Sequence, residues 1–276
     1  MMEKGVQRWL VDVSEWNPSP RNFSSAVSVL PHLEHSSITR YAKMEDRKRA
    51  LVSRLLQYAL VREVLGISFD EIIIKRTPEG KPYLDSNHVD SRFPNFNFNV
   101  SHHGDFVAIA SEPLCLVGLD IVSHAPLVKG TGLEFIENFS SYFSQRELYE
   151  IINAGTCDEM LSRFHRYWSL KEAFVKAIGT GLGYRLDKLE FHHTNWDNIS
   201  VKIDGVELRD WKFWHFELRK RHYVSGARGC PRMATESYRQ VLSRTEFSED
   251  EYHLALHLPN VSFQQRTVEQ LIERHT

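Results

Sequence analysis

Cysteine is scarce in this chain of 276 residues: Cys115, Cys157 and Cys230 are odd in number, far apart, and form no CxxC pair. That excludes a disulfide framework and a thiolate metal site, and leaves reduced thiols in a cytosolic compartment. Long apolar runs are missing too, for none approaches the roughly 18 residues of a membrane-spanning helix. Residues 1–12 carry neither a signal-peptide apolar stretch nor the Arg/Ser richness of a transit peptide. A cytosolic protein is therefore expected, with an organellar form left open. Charge of one sign is also lacking. Lys and Arg total 34 against 36 Asp and Glu, and this balance excludes the basic excess of a general nucleic-acid binder. It leaves room for a local basic pocket that takes a small polyanion. The GxxxxGK[ST], GxSxG and HExxH patterns are absent, and Gly179-Thr180-Gly181-Leu182-Gly183 follows a helix instead of joining a strand to one, so a Rossmann reading fails.

What is present suits a soluble globular protein of one large domain or two modest ones, since 42% of residues are hydrophobic and 25% charged. Residues 7–13 read as a strand. Residues 47–65 read as a helix, with Leu51, Val52, Leu55, Leu56, Ala59, Leu60 and Val64 at helical spacing and Gly66 at the C-cap. Residues 71–76 read as a strand ending in a turn, Thr77-Pro78-Glu79-Gly80-Lys81-Pro82. The run 96–100 alternates, which points Phe96, Phe98 and Val100 inward and Asn97 and Asn99 outward. Residues 116–122 form a strand with Val117, Leu119 and Ile121 on one face and Gly118, Asp120 and Val122 on the other. Ser144 and Glu147 have capping-box spacing. A longer helix covers about 161–178, with Leu161, Phe164, Trp168, Val175 and Ile178 along one stripe. Strands follow, including a hairpin at Asp204-Gly205.

Strand, helix and further strands thus occur twice, which predicts an α/β (α+β) chain of two similar lobes, each a small sheet packed with helices. The expected divisions are 1–115, 116–230, and a polar tail, 231–276, whose packing stays open.

Five groups are candidates for chemistry. Glu172 and Lys176, four apart, share a helical face. They fit either a surface ion pair or a pair acting on a metal-bound phosphate. Asp120 sits mid-strand in an apolar run, where an unpaired carboxylate is expensive to bury; Gly118 on its face leaves room for a ligand, unless Asp120 merely opens a loop. Asn99-Val100-Ser101-His102 at a strand end suits a phosphate or a plain hairpin turn. Arg76 and Lys81 flank a glycine turn that suits an anion equally well as a solvated tip. Arg219-Lys220-Arg221 fits an acidic partner or a solvated face. The His102-His103 and His192-His193 neighbours point to opposite strand faces, which argues against zinc.

In order, FNFNVSHHGDFVAIA, VGLDI and YWSLKEAFVKAIGTGL resemble the three signature blocks of the Sfp-type 4′-phosphopantetheinyl transferases. The similarity is nearest to the eukaryotic branch typified by the L-aminoadipate-semialdehyde dehydrogenase phosphopantetheinyl transferases, and it covers roughly residues 38–225. The resemblance implies a pseudo-dimeric fold with coenzyme A between the lobes of a monomer. It implies a magnesium-dependent enzyme that moves phosphopantetheine to a serine of apo acyl or peptidyl carrier proteins and releases 3′,5′-ADP. Asp120 and Glu172 would hold magnesium, Glu172 and Lys176 would be catalytic, and Lys176 would contact the diphosphate. Arg76, Thr77, Pro78, Glu79, Gly80, Lys81, Asn99, Val100, Ser101 and His102 would surround the nucleotide end. Two departures stand out. Val122 takes a position that is acidic in many relatives, with His103 the candidate replacement, and Ser37 takes a basic one, with Arg40 the candidate replacement. A CoA- or carrier-binding protein of weak activity is the alternative these departures suggest.

Overall fold

The computed structural model describes residues 2–85, 92–125 and 130–273. Strand β1 (Gln7–Asp12) leads through helices α1 (Pro20–Ser28) and α2 (His32–Thr39) to the 22-residue α3 (Met44–Leu65). Ser19 caps α1 by accepting from the Asn22 amide, and Gly66 ends α3 at φ +73, the left-handed C-cap that its sequence position predicts. The ribbon of β2 (Ile74–Arg76) and β3 (Pro82–Leu84) follows, then β4 (Asn97–His103) and β5 (Phe106–Glu112). The strand expected over 71–76 is halved: Phe69–Glu71 is a 3₁₀ turn, and Ile72 plunges into the core before pairing starts.

The second half begins with β6 (Leu116–Ser123) and continues through α4 (Gly132–Asn138), α5 (Gln145–Ile152) and α6 (Cys157–Ile178). Strands β7 (Leu189–Thr194), β8 (Asp197–Ile203), β9 (Val206–Glu207), β10 (Trp211–Leu218) and β11 (His222–Gly229) come next. The tail adds α7 (Glu236–Arg239), α8 (Glu249–Leu256), β12 (Gln264–Gln265) and α9 (Val268–Glu273). The Ser144/Glu147 capping box is formed, and Asp204-Gly205 turns with both φ values positive.

The fold is mixed α/β, built of small sheets and helices. One sheet has the order β12-β1-β5-β4, a second β10-β11-β6 and a third β7-β8-β9. Helix α3 packs its Leu51, Leu55 and Leu56 on the first sheet together with Trp9, Phe98 and Ile109. Helix α6 packs Leu170, Phe174 and Ile178 in the core under the second. Between the halves lies a further apolar layer, Leu10, Phe106, Ala108 and Ala110 against Val117, Leu119, Ile121 and Val224.

Two expectations change at this junction. Asn97 and Asn99 leave the first core as alternation requires, but they do not reach solvent, being only 5% and 4% exposed. Along the seam between β4 and β6, side chains replace a backbone ladder: Val117 N–H donates to Asn97 Oδ1 (3.0 Å), Leu119 N–H to Asn99 Oδ1 (2.8 Å) and Ile121 N–H to Ser101 Oγ (3.1 Å). Every second residue of β4 thus satisfies every second amide of β6, which would otherwise be buried unpaired. Gly118, for its part, makes room for a helix and not for a ligand. A Cβ there would stand 1.8 Å from the Ala173 carbonyl oxygen, so the glycine lets α6 lie directly on β6.

The tail is well packed. Strand β12 pairs parallel to β1, Val268 and Leu271 enter the first core, and Phe247, Ala255 and Leu256 close over Leu114 and Cys115. Fully buried Glu112 accepts from Arg8 and forms an ion pair with Arg228, and Arg228 also donates to the Leu258 carbonyl (2.5 Å), which ties the tail to both halves. The run 219–221 serves as a tie as well. Lys220 bonds Asp12 (2.9 Å) and Asp105 (3.3 Å), and Arg221 bonds Asp158, so two of its three cations are already paired within the chain.

Candidate active site

Because α6 crosses β6 at Gly118, its next-to-last and last turns bring Glu172 and Lys176 over Asp120. Lys176 Nζ lies 2.5 Å from Asp120 Oδ1 and 3.1 Å from Ser101 Oγ, and Ser101 Oγ in turn donates to Asp120 Oδ1 at 3.2 Å. Asp120 is buried, so this hydroxyl and ammonium are what make its charge tolerable there. Glu172 has no such support. Burial first, and then the Asp120 carboxylate, raise its carboxyl above the ordinary range against the pull of Lys176.

Two adjoining cavities, of about 300 Å³ and about 520 Å³, share Val100, Glu172 and Lys176. The smaller has the polar and charged side chains of Arg76, Glu79 and Asn99 on its rim and also reaches Gly80 and Gly181. The larger holds Ser101, His102, His103 and Asp120 and ends in a wall of Phe135, Phe139, Phe164 and Trp168. The structure therefore gathers residues 76, 79–81, 99–102, 120, 172 and 176, which are scattered in sequence, around one cleft, while Thr77 and Pro78 line neither cavity.

Several of them also do structural work. Lys81 lines the smaller cavity and is at the same time tied into the fold. The side chain is buried, its Nζ donates to the carbonyls of Val117 (2.9 Å) and Lys176 (2.6 Å), and burial together with the Lys176 charge lowers its pKa to about 7. The acceptor of Asn99 is taken by Leu119, although the residue still lines the smaller cavity. Thr77 is buried and closes the turn, its N–H donating to the Lys81 carbonyl, while Pro78 is exposed at the tip. Arg76 donates to the Gly80 carbonyl at 2.8 Å, which holds its guanidinium over the turn. Arg40 is exposed and lies over the Tyr41 ring; it is outside the lining of both cavities, yet its charge acts on Arg76. Arg54 was not singled out in the sequence. Desolvation first, then the charge of Arg54, lower the pKa of Arg76, and Glu34 anchors Arg54 at 2.6 Å. Its only sequence signal is a cation between apolar positions of α3. The aromatic wall was equally hidden, since Phe164 and Trp168 fit an ordinary core stripe.

Among the described residues, no group of three or more His, Cys, Asp or Glu is placed to hold a metal ion. Asp120 and Glu172, close enough that the Asp120 charge raises the Glu172 carboxyl, do make an oxygen donor set. Such a set fits magnesium, which keeps waters and takes the rest of its octahedron from substrate phosphates. Val122 lies on the Asp120 face and lines the same cavity, so no acid stands there; His103 lies within reach of the Asp120 charge.

Two family models match the chain in succession. The family model described as 4′-phosphopantetheinyl transferase, N-terminal, matches residues 14–114, and that of the 4′-phosphopantetheinyl transferase superfamily matches residues 116–227. The L-aminoadipate-semialdehyde dehydrogenase-phosphopantetheinyl transferases of Rattus norvegicus and Homo sapiens are each 34% identical over 228 residues, covering 80% of this chain and 74% of theirs. A phosphopantetheinyl transferase of Thraustochytrium sp. is 33% identical over 229 residues, covering 80% of this chain and 78% of its own. The crystal structure of Thermotoga maritima holo-[acyl-carrier-protein] synthase overlaps 41% of this chain and 62% of that one at 21% identity and TM-score 0.30, too slight a likeness to argue from.

Proposed function

The chain belongs to the 4′-phosphopantetheinyl transferase superfamily, and on that premise we propose that it transfers the phosphopantetheine arm of coenzyme A to a serine of apo carrier proteins, with magnesium, releasing 3′,5′-ADP. The observation that carries this reading is the meeting of Asp120, Glu172 and Lys176 at the waist of a two-part cleft. Asp120 and Glu172 would hold magnesium, which when bound neutralises diphosphate charge and eases departure of the leaving group.

The remaining work falls to the chain. Lys176 presents an ammonium where the diphosphate crosses from the smaller to the larger cavity. Ser101 keeps Asp120 oriented toward it. The carrier serine oxygen forms a bond to the phosphorus that bears pantetheine, and the bond from that phosphorus to the 5′-phosphate oxygen of 3′,5′-ADP breaks. The serine proton passes to Glu172, directly or through a water. Arg76, with Arg54 behind it, supplies positive charge at the nucleotide end. The wall of Phe135, Phe139 and Trp168 keeps water from the other side. We also propose a monomer acting in the cytosol.

Incubation with coenzyme A, magnesium and several apo carrier proteins, read by mass spectrometry of the carrier, tests the proposal. A gain of one phosphopantetheine is expected, and its absence on every carrier would refute the reading. The apolar Val122 favours one rival, a coenzyme A-binding protein without turnover; it predicts affinity that ignores magnesium.

A further inference from the structure

The family matches end at residue 227, yet the chain beyond holds one wall of the cleft from behind. Thr235 N–H donates to the Ile178 carbonyl at the end of α6 (2.9 Å). Two residues on, Ser237 Oγ donates to Glu79 Oε2 (2.7 Å), on the turn that lines the smaller cavity. The Tyr238 side chain is 1% exposed, and its ring centre lies 4.8 Å from Lys81 Nζ. Gly179 is the floor of this contact: a Cβ there would meet Tyr238 Cδ1 at 3.2 Å and Lys81 Cδ at 3.3 Å.

Residues 77–81 need such help. They join two strands of three residues each, and an isolated two-stranded ribbon is marginal at best. Internal bonds such as Thr77 N–H to Lys81 O (2.9 Å) shape the turn but do not place it against the other half. Placement comes from Lys81, which crosses to the carbonyls of Val117 and Lys176, and from the Ser237 hydroxyl. The Lys81 amine, held on two carbonyls, keeps a free side, and the face of the Tyr238 ring packs over it. The hydroxyl of Tyr238 has no hydrogen-bond partner among the described residues, so the ring is the part in use.

We infer that Ser237 and Tyr238 are positioning residues: through Glu79 and Lys81 they fix the turn 77–81 against the end of α6, and so set the affinity for the nucleotide end of coenzyme A. This rests on the transferase reading for its ligand, but the latch itself is a property of the fold. Neither residue lines either cavity, so an effect on substrate must pass through the turn.

The test uses the full chain with Tyr238→Ala, Tyr238→Phe and Ser237→Ala. Two readouts apply: KM for coenzyme A against kcat, and hydrogen exchange of the amides of Thr77 and Gly80. Tyr238→Ala should raise KM about tenfold with kcat within about twofold, and should speed exchange in the turn. Tyr238→Phe should match the unmodified protein in both. Ser237→Ala, which removes only an exposed bond, should raise KM by about two- to threefold. Unchanged KM and exchange in Tyr238→Ala would overturn the inference, as would a Phe variant as damaged as the Ala variant. Loss of kcat alone, in step with the folded fraction, would mean plain destabilisation and overturn it too. If Tyr238→Ala does not fold, Ser237→Ala decides by the same readouts. If the unmodified protein transfers nothing, the functional reading fails, and hydrogen exchange still decides the latch.

Discussion

Asn99→Leu is a sharp test of the seam that joins the halves, because it keeps the branched outline of the side chain and replaces the amide, acceptor included, by methyl groups. Asn99 Oδ1 receives the Leu119 amide at 2.8 Å, and both residues are buried. Leucine leaves that N–H without a partner in a place water does not reach. An orphaned buried donor costs about 1–3 kcal/mol, and with no cavity to add, about 2 kcal/mol is expected. Urea unfolding followed by tryptophan fluorescence measures it. With a slope of about 3 kcal/mol/M the midpoint should fall by about 0.7 M. Because the lost bond lies between the halves, the transition should also broaden as they begin to unfold separately. A change under about 0.5 kcal/mol would refute the reasoning, for it would mean the seam's side-chain ladder contributes no more than surface polarity does.

Three further perturbations probe other parts of the argument. Gly118→Ala places a methyl group 1.8 Å from the Ala173 oxygen and 2.6 Å from the Ala177 nitrogen, both backbone atoms. It should destabilise by about 3 kcal/mol or more, and a variant that melts like the parent would refute the close helix approach. Lys176→Ala removes the only ammonium recorded on Asp120 among the described residues. Turnover in the transfer assay should fall at least about 100-fold, and retained activity would remove Lys176 from the mechanism. For Asp12, burial raises the carboxyl, but the Ser14 hydroxyl (2.6 Å) and amide (3.1 Å) and Lys220 (2.9 Å) outweigh it, so its folded pKa lies below the ordinary 3.8. Its contribution to stability is therefore complete above about pH 5 and is lost as pH falls below 4. Asp12→Asn should flatten the acid limb of melting temperature against pH, and an equally steep limb would refute the assignment.

Periodicity and motif order made the core elements and the cleft's members legible, including α3 with its Gly66 cap and the Asp120, Glu172 and Lys176 trio. The misreadings share one cause. A strand pattern reports that a side chain leaves one core, but not what covers it on the other side. Asn97 and Asn99 therefore looked solvent-facing until β6 was laid against β4. Gly118 announces a close approach without naming the visitor, and α6 arrives where a ligand was expected. Lys81 after a glycine turn has the look of a freely presented cation, whereas its side chain is buried between two carbonyls and the Tyr238 ring. The cations at 220 and 221 have partners at Asp12, Asp105 and Asp158, too distant in sequence for any local pattern to reveal.

Ser101 shows that the seam and the site are one construction. Its hydroxyl accepts from the Ile121 amide (3.1 Å) and from Lys176 Nζ (3.1 Å), and donates its single proton to Asp120 Oδ1 (3.2 Å). One proton and two lone pairs are all a hydroxyl has, so each is engaged and none can be reassigned without loss. Ser101→Ala should therefore act twice. The buried Ile121 amide loses its partner, which costs about 1–3 kcal/mol of stability. Asp120 and Lys176 lose the group that fixes their geometry, and turnover should fall by about 10- to 100-fold in the fraction that remains folded. Ser101→Thr, which retains the hydroxyl, should recover most of both. If Ser101→Ala loses stability while each folded molecule turns over at the parent rate, then Asp120 is oriented by Lys176 alone and the halves could be joined by any other ladder. If both fall together, the contact that closes the fold is also the one that aims its carboxylate.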